Sequence, residues 1–399
     1  MKKKFIVVGA SAASLAFITK LRSIDKEADI VCISGEAEVP YNRCFLADYL
    51  SEDIDFNDML LKPKDFFEQN NITLKLNSWV TSINTDKNYV SIGSDQILYD
   101  YLFLGIGSKP LMPNIRVDLS MKNVSAFHTA ADIKKITTSI EKEKPMNVVV
   151  IGAGLNGIEC ASALHSKNIT VSLVDQAETL LPVQVDEQAS EYVASILQHR
   201  SVGMFLGNSV VSLCSKDGRV QAVKLDSGAT IPTDFVVLAT GSVPYQELLK
   251  QTSIKTQEGS IVVDGSMKTS IDNVYAGGDI CVVQDAVTKN FVKSSTWSDA
   301  MLQGLCAATQ FSSAPRQYPG AIGLRDSKFF DYSFYACGKT VGYDESYKVI
   351  THIGMDSLTK LYTKDNKLKG FLLIGDITKV AEYKRLYLMQ QELSDTDLK

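Results

Sequence analysis

The sequence predicts an α/β protein with two similar parallel-sheet domains and a small α+β domain near the C-terminal end. Two stretches share the order of buried strand, glycine-containing turn, helix and second buried strand, and they begin with "KFIVVGASAASLAF" and "NVVVIGAGLNGIEC". This β-α-β order builds a parallel sheet. Near the end of the chain, alternating residues on both sides of "KDNK" predict a β-hairpin. A length of 399 residues fits two or three domains.

The composition is that of an ordinary globular protein. Hydrophobic residues make up 45% and charged residues 22%, and the net charge of −5 comes from charges scattered along the chain. The three lysines after Met1 run directly into a strand, which indicates a solvated chain start rather than a nucleic-acid arm. No apolar run approaches the roughly 18 residues of a membrane helix, and no clear cleavage context marks a signal peptide. We therefore expect no nucleic-acid partner and no membrane association.

The seven cysteines are an odd number at irregular spacings. No CxxC pair, no CxxxxC pair and no Cys/His cluster at metal-ligand spacing occurs, so the sequence predicts no metal site. Most of the thiols lie in apolar contexts and are expected in the core. A reducing cytoplasm fits this pattern best.

The second glycine-rich turn has every feature of a dinucleotide-binding loop. Gly152, Gly154 and Gly157 have the GxGxxG spacing between a strand and a helix. Glycine there permits a tight turn, approach of the backbone to a pyrophosphate and close helix packing. Asp175 ends the next strand, where a carboxylate can bind the adenine ribose. Because this carboxylate repels the 2′-phosphate of NADP, we expect NADH rather than NADPH.

The first turn, "GASAAS", is a degenerate version of the same loop. Gly9 occupies the first glycine position, but Ser11 and Ser14 occupy the second and third. Glu36 follows the next strand and is the candidate ribose ligand. Together the two turns predict two Rossmann-like dinucleotide-binding domains, with a serine in the first that must still admit a pyrophosphate.

Three further stretches resemble the pyridine nucleotide–disulfide oxidoreductase superfamily. "YDYLFLGIGSKP" (residues 99–110) and "DFVVLATGSVP" (residues 234–244) look like the "ATGSxP" strand-and-turn motif of these flavoproteins, and they contain Gly107 and Gly241. "TSIDNVYAGGDI" (residues 269–280) resembles their second flavin motif, whose aspartate, here Asp279, binds the ribityl chain of FAD.

The resemblance implies FAD on the first loop and NAD(P)H on the second. It implies an FAD-binding domain of residues 1–115 and 243–315, an NAD(H)-binding domain of residues 116–242 and a C-terminal α+β domain of residues 316–399. The implied FAD contacts are Gly9, Ser11, Ala12, Glu36, Arg43, Gly107, Asp279 and Trp297, and the implied NAD contacts are Gly152, Gly154, Gly157, Glu159, Asp175 and Gly241.

Three of these residues have an implied role near the redox centre and an ordinary structural alternative. Glu159 matches a family glutamate near the nicotinamide, or it is a surface carboxylate. Trp297 begins a helix that resembles the family helix aimed at the isoalloxazine, or it is a core tryptophan. Arg43 lies beside the flavin or nicotinamide, or it forms an ion pair. Cys44 and Arg43, with Glu159, complete the candidate catalytic set.

The branch of the superfamily depends on Cys44. The stretch "SGEAEVPYNRCFLADYLSE" (residues 34–52) resembles the nitrite reductase large subunit and clostridial NADH:rubredoxin oxidoreductases, where this position does no chemistry. The same stretch overlays the redox-cysteine motif of NADH oxidases, peroxidases and coenzyme A disulfide reductases, in which a thiolate works against the flavin. Ala12 stands where the oxidases and peroxidases have a histidine. The "GFLLIGD" stretch (residues 370–376) and the short segment after Asp279 also favour the first group.

The resemblance therefore implies an FAD-dependent NADH:acceptor oxidoreductase that passes electrons to a small external carrier such as rubredoxin. One alternative is a single-cysteine coenzyme A disulfide or persulfide reductase, or an NADH oxidase, that uses Cys44. Another is a flavin-binding regulatory or scaffold subunit. Both a monomer and a homodimer stay open.

Overall fold

The computed structural model describes residues 2–113, 115, 121–144, 146–293 and 295–394. The helices of these residues are α1 (Ala12–Ile24), α2 (Leu46–Ser51), α3 (Phe66–Gln69), α4 (Ala130–Glu143), α5 (Leu155–Ser166), α6 (Glu187–His199), α7 (Trp297–Thr309) and α8 (Val380–Met389). Their strands up to residue 206 are β1 (Lys4–Val8), β2 (Asp29–Ile33), β3 (Ile72–Lys75), β4 (Val80–Asn84), β5 (Tyr89–Ile92), β6 (Asp95–Leu98), β7 (Tyr101–Leu104), β8 (Ser108–Pro110), β9 (Val124–Ala126), β10 (Asn147–Ile151), β11 (Thr170–Asp175) and β12 (Gly203–Leu206). The later strands are β13 (Val210–Lys216), β14 (Arg219–Leu225), β15 (Thr230–Pro232), β16 (Phe235–Leu238), β17 (Ser242–Pro244), β18 (Thr256–Gln257), β19 (Ser260–Val262), β20 (Val274–Ala276), β21 (Cys281–Gln284), β22 (Phe291–Lys293), β23 (Arg325–Phe329), β24 (Tyr332–Gly338), β25 (Lys348–Ile353), β26 (Leu358–Lys364) and β27 (Lys367–Ile374).

The chain folds into two compact units. Unit 1 consists of Met1–Asn42, Phe56–Lys109 and Val243–Gly323, and unit 2 consists of Arg43–Asp55, Pro110–Ser242 and Leu324–Lys399. The short segment that carries Cys44 therefore belongs to the same unit as the second glycine-rich loop. The finer division into three domains stays a prediction.

Unit 1 is built on a parallel sheet with the strand order β20-β7-β1-β2-β3. Helices α1 and α7 pack closely, since a Cβ on Gly304 would lie 2.0 Å from the carbonyl oxygen of Ala13. In the core beneath α1, the rings of Phe17 and Phe103 stack with centroids 4.4 Å apart. Two smaller sheets, β4-β5-β6 and β18-β19-β21-β22, complete the unit. The strand order brings the carboxyl ends of β1, β2, β7 and β20 to one edge.

Unit 2 contains a second parallel sheet, with the strand order β12-β11-β10-β16-β9. An antiparallel sheet, β13-β14-β15, is inserted in the chain between β12 and β16 of this sheet. Five antiparallel strands in the order β23-β24-β27-β26-β25 form the C-terminal sheet, and α8 packs against β27. Asp365 and Asn366 form the β26–β27 turn with φ angles of 52° and 55°, as a type I′ hairpin requires. The predicted fold class and the predicted hairpin are confirmed.

In the part of the chain that the structure describes, no helix is long and apolar enough to cross a membrane.

Candidate functional site

The three glycines of the second loop differ in what a side chain at each position would contact. Gly152 has a φ of 113°, and a Cβ on it would lie 2.3 Å from the carbonyl oxygen of Ala239. A Cβ on Gly157 would lie 1.9 Å from the carbonyl oxygen of Gly152. Gly154 has an ordinary φ of −79°, and a Cβ on it would meet no heavy atom within 4 Å. The first and third glycines are required by packing, whereas the second leaves open space.

This open space fits the pyrophosphate of a dinucleotide. Gly154 is the N-cap of α5, and within the described residues no side chain caps the helix. The N-terminal amides of α5 are therefore available to an anion, and the helix dipole favours negative charge there. By contrast, α4 and α6 have side-chain caps from Thr129 and Asp186.

The first loop accommodates its serines by two local adjustments. Ser11 has φ and ψ of −88° and −179°, close to the −79° and −175° of Gly154, so serine fits this backbone without strain. Ser14 is fully buried, and a Cβ on Gly105 would lie 2.0 Å from its Oγ atom. In the second loop the glycine that permits close packing, Gly157, lies in the helix. In the first loop the corresponding glycine, Gly105, lies directly after β7, opposite the helix. Helix α1 also has no side-chain cap in the described chain, so the first loop fits a pyrophosphate as well.

In each β-α-β unit a carboxylate lies at or just after the carboxyl end of the second strand, as the sequence predicts: Asp175 is the last residue of β11, and Glu36 follows β2. The Oδ2 atom of Asp175 accepts a hydrogen bond of 2.7 Å from the amide of Ala153, and its Oδ1 atom accepts one of 2.8 Å from the amide of Ala177. The Oε2 atom of Glu36 accepts a hydrogen bond of 2.7 Å from the hydroxyl of Tyr41. Each carboxylate is therefore held in a fixed orientation. Tyr41 lies within the stretch of residues 34–52 that resembles the reductases named above.

Asp279 lies at the carboxyl edge of the unit 1 sheet, in a turn fixed from two sides. Ser108 donates a hydrogen bond of 3.1 Å from its Oγ to Asp279 Oδ2. The buried side chain of Gln303, on α7, accepts a hydrogen bond of 2.7 Å from the amide of Gly278. A carboxylate beside a hydroxyl suits a polyhydroxy chain such as the ribityl group of FAD. Sequence reasoning missed Gln303, because nothing local marks a glutamine that reaches another element.

Trp297 is the first residue of α7 and packs, partly buried, against the hydrophobic core of unit 1. Ala12 is the first residue of α1 and is also buried. Gly107 and Gly241 have positive φ angles of 63° and 91° in the turns after β7 and β16. The roles of these residues toward the cofactors stay predictions.

Arg43 and Cys44 lie in a single 3-10 turn, Arg43–Phe45, in unit 2. The Nη1 atom of Arg43 donates a hydrogen bond of 2.8 Å to the carbonyl oxygen of His128, just before α4. Helix α2 follows this turn and packs against α5. The side chain of Cys44 is exposed. Arg43 thus anchors the segment to unit 2, although the sequence placed it among the FAD contacts. Its role toward a cofactor stays a prediction.

Glu159 lies on α5, and its carboxylate is enclosed although the residue as a whole is only partly buried. Its Oε1 atom accepts a hydrogen bond of 2.5 Å from the Oγ of Ser327 on β23. Burial raises the pKa of Glu159 to about 7 against the lowering effect of this hydrogen bond, and the nearby charges of Asp48 and Asp326 raise it further. The enclosure governs the pKa, so Glu159 is not an ordinary surface carboxylate.

We expect Glu159→Gln to stabilise the protein above pH 7 and to reduce the pH dependence of its stability. A carboxyl whose pKa is higher in the folded chain than its ordinary 4.5 favours folding most at low pH, and this contribution is lost as the pH rises toward 7. The difference between the ordinary pKa of 4.5 and the pKa of about 7 in the folded chain corresponds to about 3 kcal/mol in the free energy of unfolding. Glutamine keeps an acceptor for Ser327 and cannot ionise. Denaturant unfolding of both proteins at pH 5 and pH 8 measures the effect, and an identical pH dependence would contradict it.

All seven cysteines lie in the described residues, and no disulfide bond joins any two of them. Only Cys44 and Cys214 are exposed. Burial raises the pKa of Cys32 to about 12, and it also raises the pKa values of Cys160, Cys281 and Cys306. Such thiols are poor nucleophiles. Among the described residues, no cluster of His, Cys, Asp and Glu could hold a metal ion.

Comparison with known proteins identifies the family of this chain. The profile of the family described as "Pyridine nucleotide-disulphide oxidoreductase" matches residues 3–304. The chain belongs to this family. Pyridine nucleotide-disulphide oxidoreductases use FAD and NAD(P)H. Helices α1 and α5 of this family member have no side-chain cap in the described chain, so the N-terminus of each fits the pyrophosphate of one dinucleotide.

The relatives include several kinds of NAD(P)H-dependent reductase. An NADH oxidase of Methanocaldococcus jannaschii is 29% identical over 84% of this chain and 76% of its own length. A nitrite reductase [NAD(P)H] of Bacillus subtilis is 28% identical over 99% of this chain, which spans about half (48%) of that relative. Among solved structures, NADH:rubredoxin oxidoreductase from Clostridium acetobutylicum superimposes with a TM-score of 0.81 at 23% identity, over 99% of this chain and 97% of its own. The predicted family and the prediction of an NAD(P)H-dependent flavin oxidoreductase are confirmed.

Proposed function

We propose that this protein is an FAD-dependent NADH:acceptor oxidoreductase that passes electrons to a small external carrier such as rubredoxin. The observation that carries the proposal is the arrangement of the cysteines. No two of them form a disulfide, and burial raises the pKa of four of the five buried thiols. Among the described residues no two cysteines form a disulfide pair and no side-chain cluster could hold a metal ion, which supports transfer of the electrons to an acceptor outside these residues.

The donor in this proposal is NADH, bound on the second loop. The open space at Gly154 and the free amides of α5 hold the pyrophosphate, and Asp175 binds the adenine ribose. A second anion beside Asp175, such as the 2′-phosphate of NADPH, would be repelled. The ratio of kcat/KM for NADH to that for NADPH measures this preference, and a ratio near one would contradict it.

FAD in this proposal binds on the first loop of unit 1. The free amides of α1 and the backbone at Ser11 receive its pyrophosphate, Glu36 its adenosine ribose, and Asp279 with Ser108 its ribityl hydroxyls. When bound, FAD supplies two-electron hydride acceptance and one-electron release. The task of the chain is accordingly to bind and orient two dinucleotides.

The test is a pair of cysteine substitutions. We expect Cys44→Ser to keep the rate of NADH-dependent rubredoxin reduction within about twofold of the wild-type rate, as an exposed substitution outside the chemistry would. Cys214→Ser, at the other exposed cysteine, is the matched control. Reduction followed anaerobically by the rubredoxin absorbance gives both rates.

A loss of activity in Cys44→Ser alone would instead favour a single-cysteine reductase or oxidase. One observation supports this second candidate: Cys44 is exposed, so its thiol is accessible to another molecule, and it lies in the stretch that overlays the redox-cysteine motif.

A further inference from the structure

The segment 176–185, between Asp175 and α6, lies directly against the second glycine-rich loop. The amide of Leu181 donates a hydrogen bond of 3.0 Å to the carbonyl oxygen of Ala153, the residue between Gly152 and Gly154. Leu181 is fully buried and has a φ of 53°, in the left-handed region that leucine rarely adopts. Such a conformation persists only where surrounding contacts enforce it.

The loop that follows β24 of the C-terminal sheet supplies one of these contacts. The Oγ1 atom of Thr340 donates a hydrogen bond of 2.7 Å to the carbonyl oxygen of Gln184, and Thr340 is only 4% exposed. The amide of Gln184 in turn donates to the carbonyl oxygen of Leu181 at 2.9 Å. Three hydrogen bonds therefore connect Thr340 to the backbone of the nucleotide loop at Ala153.

A buried ion pair fixes the residue that follows the segment. Asp186 is the N-cap of α6 and accepts hydrogen bonds from Lys360 at 2.8 Å, Tyr343 at 2.9 Å and Tyr362 at 3.0 Å. These three donors all belong to the C-terminal part of the chain, and Lys360 is only 2% exposed. Burial by itself would raise the pKa of Asp186, but the hydrogen bonds from Lys360, the Ala189 amide and Tyr343 hold it below its ordinary value.

We propose that the C-terminal sheet, with the loop after β24, is a positioning element for NAD(P)H. In it, Thr340 holds Gln184 and Lys360 holds Asp186, so that the segment 176–185 stays against the second loop and sets the affinity for the dinucleotide. Asp175 provides a second connection between the loop and the segment. Its carboxylate accepts hydrogen bonds from the amide of Ala153, in the loop, and from the amide of Ala177, in the segment. The inference rests on NAD(P)H binding at the second loop and is independent of the electron acceptor.

The test compares Thr340, in the loop after β24, with Thr363, on β26 of the C-terminal sheet. Thr340→Val removes the hydrogen bond to Gln184, whereas Thr363→Val removes an equivalent one of 3.0 Å to the carbonyl oxygen of Lys348 inside the same sheet. Both residues are buried, at 4% and 6% exposure. We expect Thr340→Val to raise the Kd for NADH by about 2- to 30-fold, the usual range for coupling through such a network. The KM for NADH should rise with it, kcat should stay unchanged, and Thr363→Val should keep the wild-type Kd.

The Kd for NADH is measured from the quenching of protein fluorescence as NADH is added. Amide hydrogen exchange reports on the stability of residues 176–185. Exchange at Leu181 should be faster in Thr340→Val alone. Equal Kd values for the two variants and the wild type would overturn the proposal. Wild-type protein that binds no NADH would overturn the assigned donor as well, so the two failures are distinguishable.

Lys360→Met gives a stronger perturbation of the same element, because it leaves the Asp186 carboxylate buried without its cation. We expect a larger rise in the Kd for NADH than in Thr340→Val. If this variant folds and binds NADH as the wild type does, the proposal is wrong. If it does not fold, the two threonine variants decide.

Discussion

A Gly154→Val variant is expected to lose NADH binding while keeping its fold and its FAD. A Cβ at this position meets no protein atom within 4 Å, and the φ of −79° is open to any residue. The valine side chain would instead occupy the space assigned to the pyrophosphate at the N-terminus of α5. We expect the affinity for NADH to fall by at least ~100-fold, which corresponds to about 2.7 kcal/mol.

Gly154→Ser is the matched control for this variant. Serine is the residue that the first loop has at the same place, Ser11, with nearly the same backbone angles. Its smaller side chain should weaken NADH binding less than valine does. Isothermal titration with NADH and the flavin absorbance of the purified proteins check both variants. Wild-type affinity in Gly154→Val would show that the dinucleotide does not bind at this loop.

An Asp279→Ala variant is expected to lose most of its affinity for FAD. Asp279 is the carboxylate at the carboxyl edge of the unit 1 sheet, and its turn is held by Ser108 and Gln303. A hydrogen bond to a charged group contributes about 1.5–3 kcal/mol, so the Kd for FAD should rise by roughly 10- to 150-fold.

Ser108→Ala is the control for the FAD site, because it removes the hydroxyl that donates to Asp279 and leaves the carboxylate in place. Its effect on FAD affinity should be smaller. The flavin content after gel filtration and the titration of apoprotein with FAD give both values. A variant at Asp279 that retains FAD as tightly as the wild type would contradict the assignment of FAD to unit 1.

Local sequence patterns were sufficient to predict the two β-α-β units and the C-terminal hairpin. A strand, a glycine turn and a helix follow one another within about 30 residues, so their order is visible along the chain. The type I′ turn at Asp365 and Asn366 is likewise specified by its own residues. Gly152 and Asp175 could be placed in one β-α-β unit for the same reason, and their roles toward a dinucleotide stay predictions.

The features that sequence reasoning missed depend on contacts between distant residues. Ser14 fits into the first loop because Gly105, directly after β7, has no Cβ. The partner of Glu159 is Ser327, 168 residues further along the chain, and that of Asp186 is Lys360, 174 residues further. No local pattern marks such pairs, because each residue taken alone is compatible with an exposed polar position.

The position of Arg43 and Cys44 in unit 2 also depends on contacts between distant residues. The pattern around them predicted their resemblance to other reductases but not their packing, which depends on α2 lying against α5 and on Arg43 reaching the carbonyl oxygen of His128.

An anaerobic reductive titration of the wild-type protein, first with dithionite and then with NADH, distinguishes a carrier reductase from a single-cysteine enzyme. If the flavin alone stores electrons and an external carrier receives them, two electrons per flavin complete the reduction and no long-wavelength absorbance band grows in. A requirement for four electrons, with a thiolate-to-flavin charge-transfer band, would identify Cys44 as a second redox centre and contradict the proposed carrier reductase.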